Sequence, residues 1–146
     1  MAIDRQGLGL TVVRILIGVF FLCEGLGKLR WFGTSSLLAA QLAAWARQVA
    51  PGTVSSWYLH RVAMRGAPLF ARLVPLGELG CGLALIAGAW TRPVALIAFL
   101  MALNFHVASG DLFHYSFLTN GYGLPVLGAT LGVAIGGTRG NWRIRN

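Results

Sequence analysis

Glu24 and Lys28 sit four residues apart in the stretch GVFFLCEGLGKL (18–29), and Glu78 stands in a second apolar stretch, PLGELGCGLALIAG (75–88). Glutamate and lysine can hold or pass protons, and a carboxylate in apolar surroundings can hydrogen-bond a ligand. The chain has only four acidic residues, yet two of them interrupt its most hydrophobic segments. At about 100° per residue, Arg14, Gly18, Phe21, Glu24, Gly25 and Lys28 share one face of a helix. Glu24 and Lys28 also form an i,i+4 pair in the favourable order. Glu78, Cys81, Gly82 and Leu85 share a face of the next helix. An ionisable group at the centre of a lone membrane helix costs about 2.5–3.5 kcal/mol on insertion scales. Such a group faces a bundle interior and has a partner. For Glu24 and Glu78, a functional role and a purely structural one weigh equally on the residues alone.

The elements that position these groups follow from composition. The 146 residues are 56% hydrophobic and 11% charged, where a soluble domain carries about 25% charged residues. Four apolar runs predict an all-α membrane protein, a four-helix transmembrane bundle with spans at about 8–28, 69–90, 92–109 and 120–137, against roughly 20 residues per crossing. They leave room for one domain only, 1–146. The first run is too long for a signal peptide, holds Arg14 and Glu24, and has no small-x-small cleavage site after it. Gly128-x3-Gly132-x3-Gly136 reads as a packing groove on the fourth span.

The long loop between the first two spans carries SSLLAAQLAAWARQVAPG. Ser35 and Ser36 are candidate N-caps, Pro51-Gly52 a stop, and Leu38, Leu42 and Trp45 recur at helical spacing. This predicts a short amphipathic helix on the membrane surface. A lid over the bundle is favoured over a docking surface.

A net charge of +8 raises the possibility of nucleic acid as a partner. Placement argues against it, because the basic residues flank the spans or lie in the first loop, where they meet headgroups. The lipid bilayer is therefore the first expected partner, and nucleic acid is not expected. Short basic segments near Arg5, Arg92, Arg139, Arg143 and Arg145 place the termini in the cytoplasm by the positive-inside rule.

Topology gathers the polar groups. Glu24 lies one turn before the end of the first span, Glu78 one or two turns into the second, Asn104 and His106 near the end of the third, and Asn120 opens the fourth. All lie in one leaflet beneath the long loop. Pro75 removes a backbone donor one turn before Glu78 and can kink the helix there.

The segments RILIGVFFLCEGLGKL and PLGELGCGLALIAGAWTRPVALIAFLMALNFHVASG resemble the DoxX family of small four-span bacterial and archaeal membrane proteins. FGTSSLLAAQLAAWA and the closing TRGNWRIRN resemble its DoxD-like branch, which is related to the membrane subunit of thiosulfate:quinone oxidoreductase. Arg14, the Gly25-x-x-Lys28-Leu29 ending of the first span, Glu78 and the Gly88-x-x-Thr91-Arg92 turn carry the likeness. The resemblance implies a bacterial or archaeal cytoplasmic membrane, quinone as cofactor, and quinone-linked redox work with other membrane or membrane-associated subunits.

No C-x-x-C-H haem attachment or iron–sulfur cysteine pattern occurs, and His106, Asp111 and His114 match no common metal spacing. No haem, iron–sulfur or metal centre is therefore expected. A Cys23–Cys81 disulfide is geometrically conceivable, but two separate small residues are the favoured outcome. Three functions follow. In a quinone-reactive subunit, Glu24, Glu78 and His106 hydrogen-bond quinone oxygens or relay protons. Lys28 and Arg14 then serve as counter-charges, and Asn104 and Asn120 as further cofactor contacts. The alternatives are a non-catalytic accessory subunit of a larger respiratory or photosynthetic complex, and a small transporter or lipid-binding bundle.

Overall fold

The computed structural model describes residues 5–137, and all the regular elements among them are helical. The expected role of TRGNWRIRN, with Arg139, Arg143 and Arg145, lies outside the described residues. The chain runs α1 (Arg5–Gly27), a 3-10 turn (Leu29–Phe32), α2 (Ser36–Gln48), α3 (Val54–Tyr58) continuing as a π-helical turn (Leu59–Ala63), α4 (Ala67–Ala87), α5 (Thr91–Ser109), α6 (Tyr115–Thr119) and α7 (Leu124–Gly136).

Helices α1, α4 and α5 are each long and apolar enough to cross a membrane. They are apolar outside as well as inside. Leu8, Val12, Leu16 and Leu26 of α1, Leu69, Leu73, Leu76 and Leu83 of α4, and Leu96, Ile97 and Leu100 of α5 are all exposed. A helix hydrophobic all round belongs in lipid or a large core, and a chain this short has no large core. This is a multi-pass membrane protein.

The fourth span expected over 120–137 is not among these long apolar helices. Instead of one helix over 120–137, α6 precedes a turn and α7 has 13 residues, about 20 Å at 1.5 Å per residue. The Asn120 side chain explains the break, because its Oδ1 accepts from the backbone N–H of Tyr122 and of Gly123, both at 2.8 Å. A short polar side chain that bonds the backbone two residues on makes a turn. The glycine groove also differs: Gly136 faces Leu10, while a Cβ at Gly128 or Gly132 would meet nothing within 4 Å.

The α1–α4 pair is the backbone of the bundle. A Cβ at Gly82 would lie 2.6 Å from the backbone nitrogen of Leu22 and 2.8 Å from the carbonyl oxygen of Gly18; at Gly25 it would lie 2.9 Å from the backbone nitrogen of Leu79. Only glycine permits this approach, which is how membrane helices gain van der Waals contact. The contacts pair residues 18 with 82 and 25 with 79, so the helices run antiparallel with Lys28 level with Glu78. Helix α4 continues through Pro75, which is buried within it, and ends at Gly88 with φ 76°.

The loop over the α1–α4 end is filled by helix. Leu38 and Leu42 of α2 are buried with Leu59, Ala63, Ala67, Ala71 and Ala108, and Trp31 and Trp45 pack against them. The apolar face of α2 thus packs on the protein. Neither expected serine cap forms. Ser35 makes no side-chain cap bond, and the Ser36 hydroxyl pairs with that of Thr34 at 2.8 Å. The helix gives way to extended backbone at Val49, before Pro51-Gly52.

Candidate functional site

The close α1–α4 packing brings three charged side chains into line. Lys28, the one lysine of the chain, lies 2.7 Å from Glu24 Oε2 and 2.8 Å from Glu78 Oε1. Burial increases along the line, from Glu24 at 33% exposed through Lys28 at 18% to Glu78 at 2%. The rings of Trp31 and Phe105 flank the ammonium at 5.9 and 5.7 Å, within the range at which a ring face attracts a cation. The second carboxyl oxygen of Glu78, Oε2, is buried and has no hydrogen-bond partner among the described residues.

These groups form one wall of a cavity of about 250 Å³. Phe20, Phe21 and Glu24 come from α1, Glu78 from α4, Ala102, Phe105 and His106 from α5, and Val126 from α7. Tyr122 comes from the turn before α7, and Lys28, Trp31, Gln41 and Trp45 from the end of α1 and its covering segments. Phe20 meets Tyr122 at 5.6 Å between ring centroids. The result is an aromatic chamber with a buried ion pair at its edge, the general form of a small-molecule site.

His106 is tied to the same wall. Its Nε2 lies 2.9 Å from the carbonyl oxygen of Tyr122, and its ring packs edge-on against Phe117 at 4.9 Å. A carbonyl oxygen only accepts, so Nε2 carries the proton. In the neutral ring Nδ1 is then left as an acceptor.

Glu24, Lys28, Glu78 and His106 therefore meet around one cavity, while three other residues expected at the site do not line it. Arg14 is on the same face of α1 but 14 residues before Lys28, about 21 Å along the axis at 1.5 Å per residue. It is 8% exposed and donates to the carbonyl oxygens of Leu85 and of Ile86, the latter at 3.2 Å. A guanidinium there bonds carbonyls of the last turn of α4 and opposes the negative end of its dipole. Asn104 is exposed on α5, and Asn120 spends its Oδ1 on the turn. Of the cysteines, Cys23 is exposed, Cys81 is buried and both are free.

Phe20, Trp31, Phe105 and Tyr122 join the site without any mark in the sequence. Aromatic residues are common in membrane helices and their borders, so composition offers no signal to separate lining rings from lipid-facing ones.

The DoxX family model matches residues 9–109. That stretch holds all but the first turn of α1, and α2 through α5, and with them Glu24, Lys28, Glu78 and His106. The chain belongs to the DoxX family. No curated protein and no solved structure matches it. Within this DoxX chain, Tyr122 and Val126 are the cavity residues beyond the matched stretch.

Proposed function

We propose that this DoxX-family protein binds the ring of a membrane quinone in the cavity beneath α2 and works as a quinone-linked redox subunit, similar to that of thiosulfate:quinone oxidoreductase. The observation that carries the reading is the aromatic cavity of about 250 Å³ with a buried carboxyl oxygen, Glu78 Oε2, that has no partner among the described residues. Ligand sites run from about 300 Å³ upward, so a space of this size suits a single-ring headgroup. The aromatic lining supplies stacking surface for a flat ring, and Glu78 and His106 supply polar contacts that fix its orientation.

When bound, a quinone supplies a two-electron, two-proton couple, with electrons drawn from a partner subunit or a small donor such as thiosulfate. The protein's own part is proton handling and orientation. Glu24, Lys28 and Glu78 form a continuous hydrogen-bonded line from a partly exposed carboxylate to a buried one, a route by which a proton reaches the cavity wall. Proton transfer by a positioned group contributes about 10²–10⁴-fold to a rate.

The test is quinone reduction in membranes containing the protein and its electron donor. Glu78→Gln is expected to abolish reduction while the protein remains assembled and membrane-inserted. Full activity in that variant would refute the assignment.

A second reading, an accessory subunit packed against a larger membrane complex, is favoured by one observation. Gly128 and Gly132 of α7 are exposed, with open space where a Cβ would stand, and small-residue faces accept neighbouring membrane helices. It requires stable co-purification with a large complex in mild detergent. A protein fully active alone in detergent would exclude it.

A further inference from the structure

The polar groups that the spanning helices turn toward the cavity are acceptors. Glu78 is held by Lys28 through Oε1 at 2.8 Å, and a carboxylate paired in this way keeps Oε2 as an unused acceptor. His106 donates through Nε2 to Tyr122, which leaves Nδ1 as the acceptor of the ring.

The obvious donor, the Lys28 ammonium, is already committed. Two of its three N–H bonds go to Glu24 and Glu78, and aromatic rings flank it. The remaining lining donors are the indoles of Trp31 and Trp45 and the Gln41 amide, from the covering segments, and the Tyr122 hydroxyl, from the turn before α7, which accepts as readily as it donates. An oxidised quinone ring presents two carbonyl acceptors, which would face like groups at Glu78 and His106. A hydroquinone presents two O–H donors. Leaving a buried acceptor unpaired is costly, and a bond to an ionised acceptor is roughly twice as strong as a neutral one.

We infer that the cavity selects the reduced, hydroxyl-bearing form of its ring ligand over the oxidised dicarbonyl form, with Glu78 as the residue that sets the preference. The inference rests on the proposed function above and deepens it. A site that holds the quinol more tightly raises the potential of the bound couple, which draws electrons from a donor. A tenfold preference corresponds to about 30 mV for a two-electron couple.

The experiment measures the affinity of the whole protein in nanodiscs for duroquinol and for duroquinone, anaerobically, by equilibrium binding. The expected result is at least tenfold tighter binding of duroquinol. Glu78→Gln keeps an acceptor for Lys28 and replaces Oε2 with an amide that donates, so it is expected to erase the preference or invert it toward duroquinone. The wild-type ratio needs no variant and decides the matter even if Glu78→Gln fails to fold. Equal or tighter binding of duroquinone by the wild type would overturn the inference and leave the quinone cavity standing. Binding of neither form would overturn the proposed function and this inference with it.

Discussion

Lys28 and Glu78, 50 residues apart in the chain, meet at 2.8 Å. The contact exists because Gly18, Gly25 and Gly82 let two antiparallel helices touch backbone to backbone. The same ammonium also takes Glu24, so one cation satisfies two of the few acids in the chain. Removing it strands both.

Lys28→Met is therefore expected to be among the most destabilising single changes near the cavity. Breaking a buried pair by removing one partner costs about 3–5 kcal/mol, because the remaining charge is left uncompensated. The double variant Lys28→Met with Glu78→Gln removes the stranded charge and should recover much of the loss. Thermal unfolding in detergent measures both. If the single and double variants melt together, the pair does not hold the helices as described.

Glycine packing makes a second, sharper contrast. Gly82→Ala forces a Cβ to within 2.6 Å of the Leu22 backbone nitrogen, whereas Gly80→Ala meets nothing within 4 Å. Overpacking costs about 1–3 kcal/mol, so Gly82→Ala should lower the melting temperature and weaken ligand binding. Gly80→Ala should leave both unchanged. Indistinguishable melting curves for the two would place the α1–α4 contact elsewhere.

How much of this was legible beforehand depends on the kind of contact. The Glu24–Lys28 pair follows from local spacing, and the shared depth of Glu78 and His106 follows from where the spans begin and end. Arg14 shows the limit. Its helical face matches that of Glu24 and Lys28, but periodicity specifies direction around an axis and not position along it. Arg14 instead closes the far end of α4. That a single lysine bridges both glutamates depends on the antiparallel register, which close glycine contacts set between distant segments. Asn120 is different again. It stands in Asn120-Gly121-Tyr122-Gly123, and that turn composition was a readable sign of a backbone role.

Arg14→Ala should separate stability from binding. It removes hydrogen bonds from a charged donor, worth about 1.5–3 kcal/mol each, at a site that does not line the cavity. Melting temperature should fall while the affinity of the folded fraction for a quinone stays at the wild-type value. An affinity loss of tenfold or more in folded protein would return Arg14 to the site.

Asn120→Ala should do the opposite on a smaller scale. It removes two side-chain hydrogen bonds from the turn, each worth about 0.5–1.5 kcal/mol, a modest stability change. The same change frees the turn that presents Tyr122 to the cavity and its carbonyl to His106. Ring binding should weaken several-fold, read by equilibrium titration. An unchanged affinity would show that Tyr122 holds its place without the turn.

The claim that the cavity receives a quinone ring is tested most directly by filling it. Ala102 is 7% exposed and lines the chamber, so Ala102→Leu adds bulk into the space while leaving every polar group in place. Titration of duroquinone and duroquinol into nanodiscs, followed through quenching of the Trp31 and Trp45 fluorescence, should saturate in the wild type and lose its saturable component in Ala102→Leu, with the variant's melting temperature confirming that it is folded. Linear, non-saturating quenching of equal slope in both proteins would show only partition into lipid and would contradict the account.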